Sequence, residues 1–138
     1  MRPGFEEFDH AGDIGIEAWG QDMSELIENA TLGLLGLFCR GGVEPRTERQ
    51  LGVESSTRED LLVDWLAEVI TAVGANGEIY SGVEITRVGE HFAYGILRGE
   101  KVDTARHDLR FDVKAATYHG LMVGQTADGL RGRIIFDL

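Results

Sequence analysis

Apolar residues in this chain change their spacing from two to three-and-four and back, and that change constrains the fold more than any other feature. Ile14, Ile16 and Ala18 alternate with Gly15, Glu17 and Trp19, a period of two that reads as a strand. Asp22 followed by Glu25 is a capping box, and it opens a helix through Met23, Leu26, Ile27, Ala30, Leu34, Leu37 and Phe38 that Gly41-Gly42 stops. Ser56 with Glu59 repeats the capping signature. Leu61, Leu62, Trp65, Leu66, Val69, Ile70 and Val73 follow as a wide apolar stripe that ends at Asn76-Gly77. Shorter strands are expected over Phe5 to Phe8 and, after a Pro45 turn, over Thr47 to Val53.

From Ile79 onward the chain reads as β structure. Ile79 to Val88 and His91 to Arg98 flank Gly89-Glu90, a hairpin signal. Gly99 to Asp108 reads as a polar loop, after which Leu109, Phe111, Val113 and Ala115 alternate with Arg110, Asp112 and Lys114. Gly120 to Gln125 and Arg131 to Phe136 flank Asp128-Gly129, a second hairpin signal. The expected fold class is therefore α+β: a mostly antiparallel or mixed sheet of about seven strands, with two helices packed on one face.

At 138 residues the chain is expected to form one domain, 1–138, with a core that needs no covalent staple. Cys39 is the only cysteine, which excludes an internal disulfide and a thiolate cluster for zinc. No apolar run reaches the roughly 18 residues of a membrane span, and the N-terminus lacks a signal-peptide core, so the expected location is cytoplasmic. Twenty-four acidic residues against thirteen basic ones give a net charge of −11. Such a surface repels phosphate backbones, which excludes tight direct nucleic-acid binding. It suits a basic partner instead.

Chemistry is concentrated at two strand ends. Phe8-Asp9-His10-Ala11-Gly12-Asp13 carries two carboxylates and an imidazole just before an alternating strand, and Phe136-Asp137-Leu138 closes another. If those ends meet, Asp13 and Asp137, with Asp9 near, offer hard oxygens to calcium or magnesium, which take oxygen donors with water completing the shell. Against this, aspartates at strand ends are most often simply solvated. Lys114 is a surface ammonium, or one that balances a carboxylate cluster. His119 is a base, a ligand or a hydrogen-bonded structural histidine. The chain has no nucleophile elbow, no phosphate-cradling glycine loop and no HExxH, so no self-sufficient catalytic machine is visible.

Taken together, four stretches resemble the archease family. Asp9-His10-Ala11-Gly12-Asp13-Ile14-Gly15-Ile16 is similar to its DHTADIGI motif, and Glu59-Asp60-Leu61-Leu62-Val63-Asp64-Trp65-Leu66 to its second-helix motif. Gly99-Glu100 with Val113-Lys114-Ala115-Ala116-Thr117-Tyr118-His119 matches GE…VKAxTYH, and Ile135-Phe136-Asp137-Leu138 matches the terminal strand. The resemblance implies a non-catalytic protein cofactor of the RtcB-type, GTP-dependent RNA ligase. Such a cofactor promotes guanylylation of the ligase's histidine and multiple turnover in tRNA splicing or RNA repair. It implies a metal site on Asp13, Asp137 and the backbone oxygen of Leu138, most simply for calcium, with magnesium or manganese as alternatives.

The resemblance also places Lys114 among the functional polar residues, with Asp9, His10 and His119 beside it. Ala11 and Gly12 replace the usual Thr-Ala, Thr57 stands where an aspartate is common, and Leu138 replaces an isoleucine. Two other readings compete: a metal-dependent phosphoester hydrolase with His10 or His119 as base, and a metal-independent chaperone or interaction module.

Overall fold

The computed structural model describes residues 4–138, so residues 1–3 of the expected domain lie outside the described residues. Strands β1 (Phe5–His10) and β2 (Asp13–Gly20) precede helix α1 (Met23–Phe38). Strand β3 (Thr47–Glu54) and helix α2 (Arg58–Asn76) follow, and then β4 (Glu78–Val88), β5 (Phe92–Lys101), β6 (Ala115–Thr126) and β7 (Gly129–Asp137).

Both helices form where their end signals are strong. The Asp22 carboxylate accepts the Glu25 N–H at 2.9 Å, and Glu25 accepts the N–H of Gln21 at 3.3 Å, a capping box displaced by one residue. The second cap falls on Thr57, whose hydroxyl accepts the Asp60 N–H at 3.0 Å. It does not fall on Ser56, because helical geometry starts at Arg58, which makes Thr57 the N-cap and Asp60 the residue three positions on whose N–H it accepts. Gly77, at φ +60°, ends α2 in the left-handed conformation that glycine adopts without strain.

The seven strands divide into two antiparallel sheets, β1-β2-β7-β6 and β3-β5-β4. The two helices are the shared filling: α1 packs on β2 and β4, and α2 on β6 and β3. The division follows from the width of the apolar stripes. Leu26, Ile27, Leu34, Leu35 and Leu37 of α1 and Leu61, Leu62, Trp65, Leu66 and Val69 of α2 are all buried, so a sheet on one side alone would leave apolar surface in water. The helices are pinned to each other by the indole N–H of Trp65, which donates to Thr31 Oγ1 at 2.9 Å inside the core.

One expected strand is absent. Leu109 makes a single bridge to Cys39, and the ladder of β6 begins only at Ala115. The alternation tracks burial only from Phe111 to Lys114, with Val113 buried and Asp112 and Lys114 exposed, whereas Leu109 is exposed, and the backbone bonds elsewhere. Arg110 N–H donates to the Phe38 carbonyl and Phe111 N–H to that of Leu37, both at 3.0 Å. Arg110 Nη1 adds a bond to the Gly36 carbonyl at 2.8 Å. The last turn of α1 has no basic residue of its own, so this strap supplies the donors that its orphan carbonyls need.

The region read as a polar loop is also partly strand. β5 runs on to Lys101 and buries Glu100, which holds the side chains of Arg106 and His107. The last hairpin turns at Ala127 and Asp128, one residue earlier than expected, and Gly129 opens β7 at φ +146°. A Cβ there would stand 2.4 Å from the Gly20 carbonyl oxygen, so the close approach requires glycine.

Candidate metal centre

The pairing of β2 with β7 sets the site. Its last registered pair is Ile14 with Phe136, both buried. One step further the strands carry Asp13 and Asp137, whose other neighbours are His10 and Ala115. Residues opposite one another in an antiparallel pair share a face, and alternation puts this row on the outer face of the sheet, away from Ile14. Cβ atoms of such pairs lie about 5 Å apart, so the two carboxylates are neighbours. Neither has a hydrogen-bond or ion-pair partner among the described residues.

Two like charges directly opposite each other repel, and a cation between them would relieve that repulsion. The donors present are two carboxylates and the adjacent Leu138 backbone, all hard oxygens, which fits calcium or magnesium and not a thiophilic ion. No set of three or more His, Cys, Asp or Glu side chains among the described residues is placed to hold a metal ion. A cation held here would keep several waters.

Lys114 sits at the edge of this row, because its backbone N–H donates to the Asp137 carbonyl at 2.9 Å. Its ammonium has no ion-pair partner among the described residues. Asp9 is placed elsewhere: it pairs with Ile14, so it projects from the face opposite Asp13. His10 pairs with Asp13 and shares its face.

His119 reaches the site by an irregularity. β6 and β7 are in register through Thr117–Ile135, and pairing resumes only at Met122–Arg133. Residues 118–121 thus leave the ladder, with Gly120 at φ +65° and Ile135 beneath it. The excursion crosses the outer face and brings the His119 ring to His10, with centroids 5.0 Å apart and planes inclined at 58°. Tyr118 swings the other way and is 59% exposed. A hydrogen bond to Asp60 pushes its phenol above the ordinary range. Nothing in the hydropathy period announced this excursion, and Gly120 is its one sequence signal.

Other motif residues are structural. Glu100, from the Gly99-Glu100 pair, is buried and anchors the strap. Arg106 beside it, the backbone N–H of Glu44 and His107 hold its carboxyl down at about 2. The hairpin before Asp13 turns on Ala11 at φ +47° and Gly12 at φ +92°. Both central residues are left-handed, as a two-residue hairpin turn with the strands' own twist demands. Below the row, the Phe8 ring lies across Gly15, and the Arg133 guanidinium stacks 4.2 Å above the ring centroid.

Residues 5–138 match the model of the archease protein family (MTH1598/TM1083). Protein archease of Thermococcus gammatolerans is 30% identical over 129 residues, covering 91% of each chain. Its namesake from Methanosarcina acetivorans is 28% identical over 139 residues, covering 97% of this chain and 95% of that one. The solution structure of Methanobacterium thermoautotrophicum protein 1598 superposes with a TM-score of 0.82 at 31% identity, covering 99% of this chain and all of that one. A Thermotoga maritima crystal structure, described as an archease and possible chaperone, shares the fold with a TM-score of 0.66 at 23% identity, covering 100% of this chain and 98% of that one. The chain belongs to the archease family.

Proposed function

We propose that this protein is a non-catalytic activator of an RtcB-type RNA ligase, with a calcium-bearing acidic tip as its working surface. The observation that carries the reading is the juxtaposition of Asp13 and Asp137 on one face, next to Leu138 and to the pinned backbone of Lys114. In this reading Asp13, Asp137 and the Leu138 carbonyl hold the ion, and Lys114 offsets the remaining negative charge or meets an anionic group on the partner. A cation held by these residues would offer an anchor for phosphate oxygens of the partner's nucleotide. The acidic surface then steers the tip toward the basic mouth of an RNA-handling enzyme.

The test is ligase guanylylation and multiple-turnover ligation, measured with and without the protein. Stimulation by the wild type, lost in Asp13→Ala and Asp137→Ala variants that remain folded, is the expected result. Equal rates with and without the protein end this reading. Phosphoester turnover by the purified protein alone favours the hydrolase instead.

A further inference from the structure

Of the four histidines, two are tied down. His107 accepts the Asp103 N–H on Nδ1 at 2.9 Å, so the hydrogen sits on Nε2, which donates to Glu100 at 3.1 Å. His91 places Nδ1 3.2 Å from the Ser55 carbonyl oxygen. The rings of His10 and His119 have no hydrogen-bond partner among the described residues, and they are the two that touch each other. They come from β1 and β6, the two edges of a four-stranded sheet, and meet only because residues 118–121 abandon the ladder and fold over the outer face.

The spacing of the pair allows both rings to ligate one ion without moving apart. Imidazoles bound through nitrogens at about 2.1 Å to a tetrahedral ion have ring centroids about 5 Å apart, and these stand 5.0 Å apart. Imidazole nitrogens suit zinc, cobalt, nickel and copper, whereas the carboxylates of the neighbouring row suit calcium and magnesium.

We propose that His10 and His119 form a second, nitrogen-donor site for a late first-row divalent ion of the zinc class, separate from the hard-oxygen site of Asp13 and Asp137. Water completes the coordination, and Asp13, the cross-strand neighbour of His10, is the nearest carboxylate to the pair in the register. Bound metal cross-links the two edge strands and fixes the 118–121 excursion over the tip. This site does not depend on the ligase reading, and its test is independent of it.

The untagged full chain, stripped with EDTA and exchanged into metal-free buffer, is titrated with zinc chloride by calorimetry and with cobalt(II) by visible absorption. One equivalent of zinc is expected, and the visible absorption of cobalt should change as imidazole nitrogens replace water. His10→Gln and His119→Gln should each weaken zinc binding at least tenfold and remove the cobalt spectral change, with circular dichroism unchanged. His91→Gln and Cys39→Ser should bind as the wild type does, and any calcium-induced rise in melting temperature should survive both histidine variants. Absence of zinc binding overturns the proposal. So does binding retained by the histidine variants but lost in Asp13→Asn with Asp137→Asn, which would place the ion on the carboxylates.

Discussion

The buried carboxylate of Glu100 is 3.1 Å from Nε2 of His107, seven residues further along the strap that returns the chain to the row of Asp13 and Asp137. With Arg106 and the Glu44 N–H, this contact holds the Glu100 carboxyl at about 2, below its ordinary 4.5. A carboxyl with a depressed folded-state value stabilises the fold above its unfolded value and loses that contribution as pH falls toward the folded one. The wild type should therefore exceed Glu100→Gln in melting temperature at neutral pH, and the gap should close between about pH 4.5 and 2. Thermal melts at a series of pH values check this, and a gap that stays constant to pH 2 contradicts it.

Arg49 and Glu78 form a two-pronged pair at 2.8 and 2.9 Å, and Tyr80 donates a third hydrogen bond to the same carboxylate at 2.9 Å. Glu78 is 1% exposed, and these donors depress its carboxyl. Removing only the cation leaves a buried charge with too few partners. Arg49→Met should lower stability in denaturant unfolding. Adding Glu78→Met should recover much of that loss, because no charge is then left stranded.

Asp13 and Asp137 should show opposite effects with and without cation. In EDTA, Asp13→Asn or Asp137→Asn relieves the repulsion across the strands and should stabilise the fold by about 0.5 kcal/mol. With calcium in excess, the wild type should gain stability by mass action and the variants should not. Melting temperatures in the two buffers should therefore rank the proteins in reverse order.

Ala11 occupies a left-handed conformation, at φ +47°, that costs a Cβ-bearing residue roughly 1–2 kcal/mol. Asn tolerates this region better and is favoured in two-residue hairpin turns. Ala11→Asn should raise stability by about 0.5 kcal/mol, and Gly12→Ala, at φ +92°, should lower it by about 1 kcal/mol. Chemical denaturation of both variants provides the measurement.

Much of the fold was legible because local signals and global packing agree. Asp22, Asn76-Gly77 and the alternation of Ile14, Ile16 and Ala18 each mark an element that forms. The division into two sheets was not legible. A wide apolar stripe says that a helix is deeply buried, but not whether one sheet or two bury it. The segment from Leu109 to Lys114 carries a strand's alternation, but its side chains pack alternately only from Phe111 on, and the Arg110 and Phe111 N–H groups are spent on a helix end.

At the tip, acidic strand ends do not encode which strands become neighbours. The approach of Asp13 to Asp137 comes from the β2–β7 pairing, which the residues alone posed only as a condition and the resemblance then implied. The meeting of His10 with His119 rests on an interruption of pairing, which periodicity does not record.

The strand nearest the end of the chain, β7, lies in the middle of its sheet, between β2 and β6. Ion pairs such as Glu17 with Arg131 join residues 114 positions apart. A nascent chain emerging from the ribosome can build the helix pair and the three-stranded sheet early, but β2 must wait with its seam open until β7 has been made. The acidic tip is thus a late product of folding, absent from every shorter intermediate, and a truncated polypeptide would expose a sticky edge instead of a working surface.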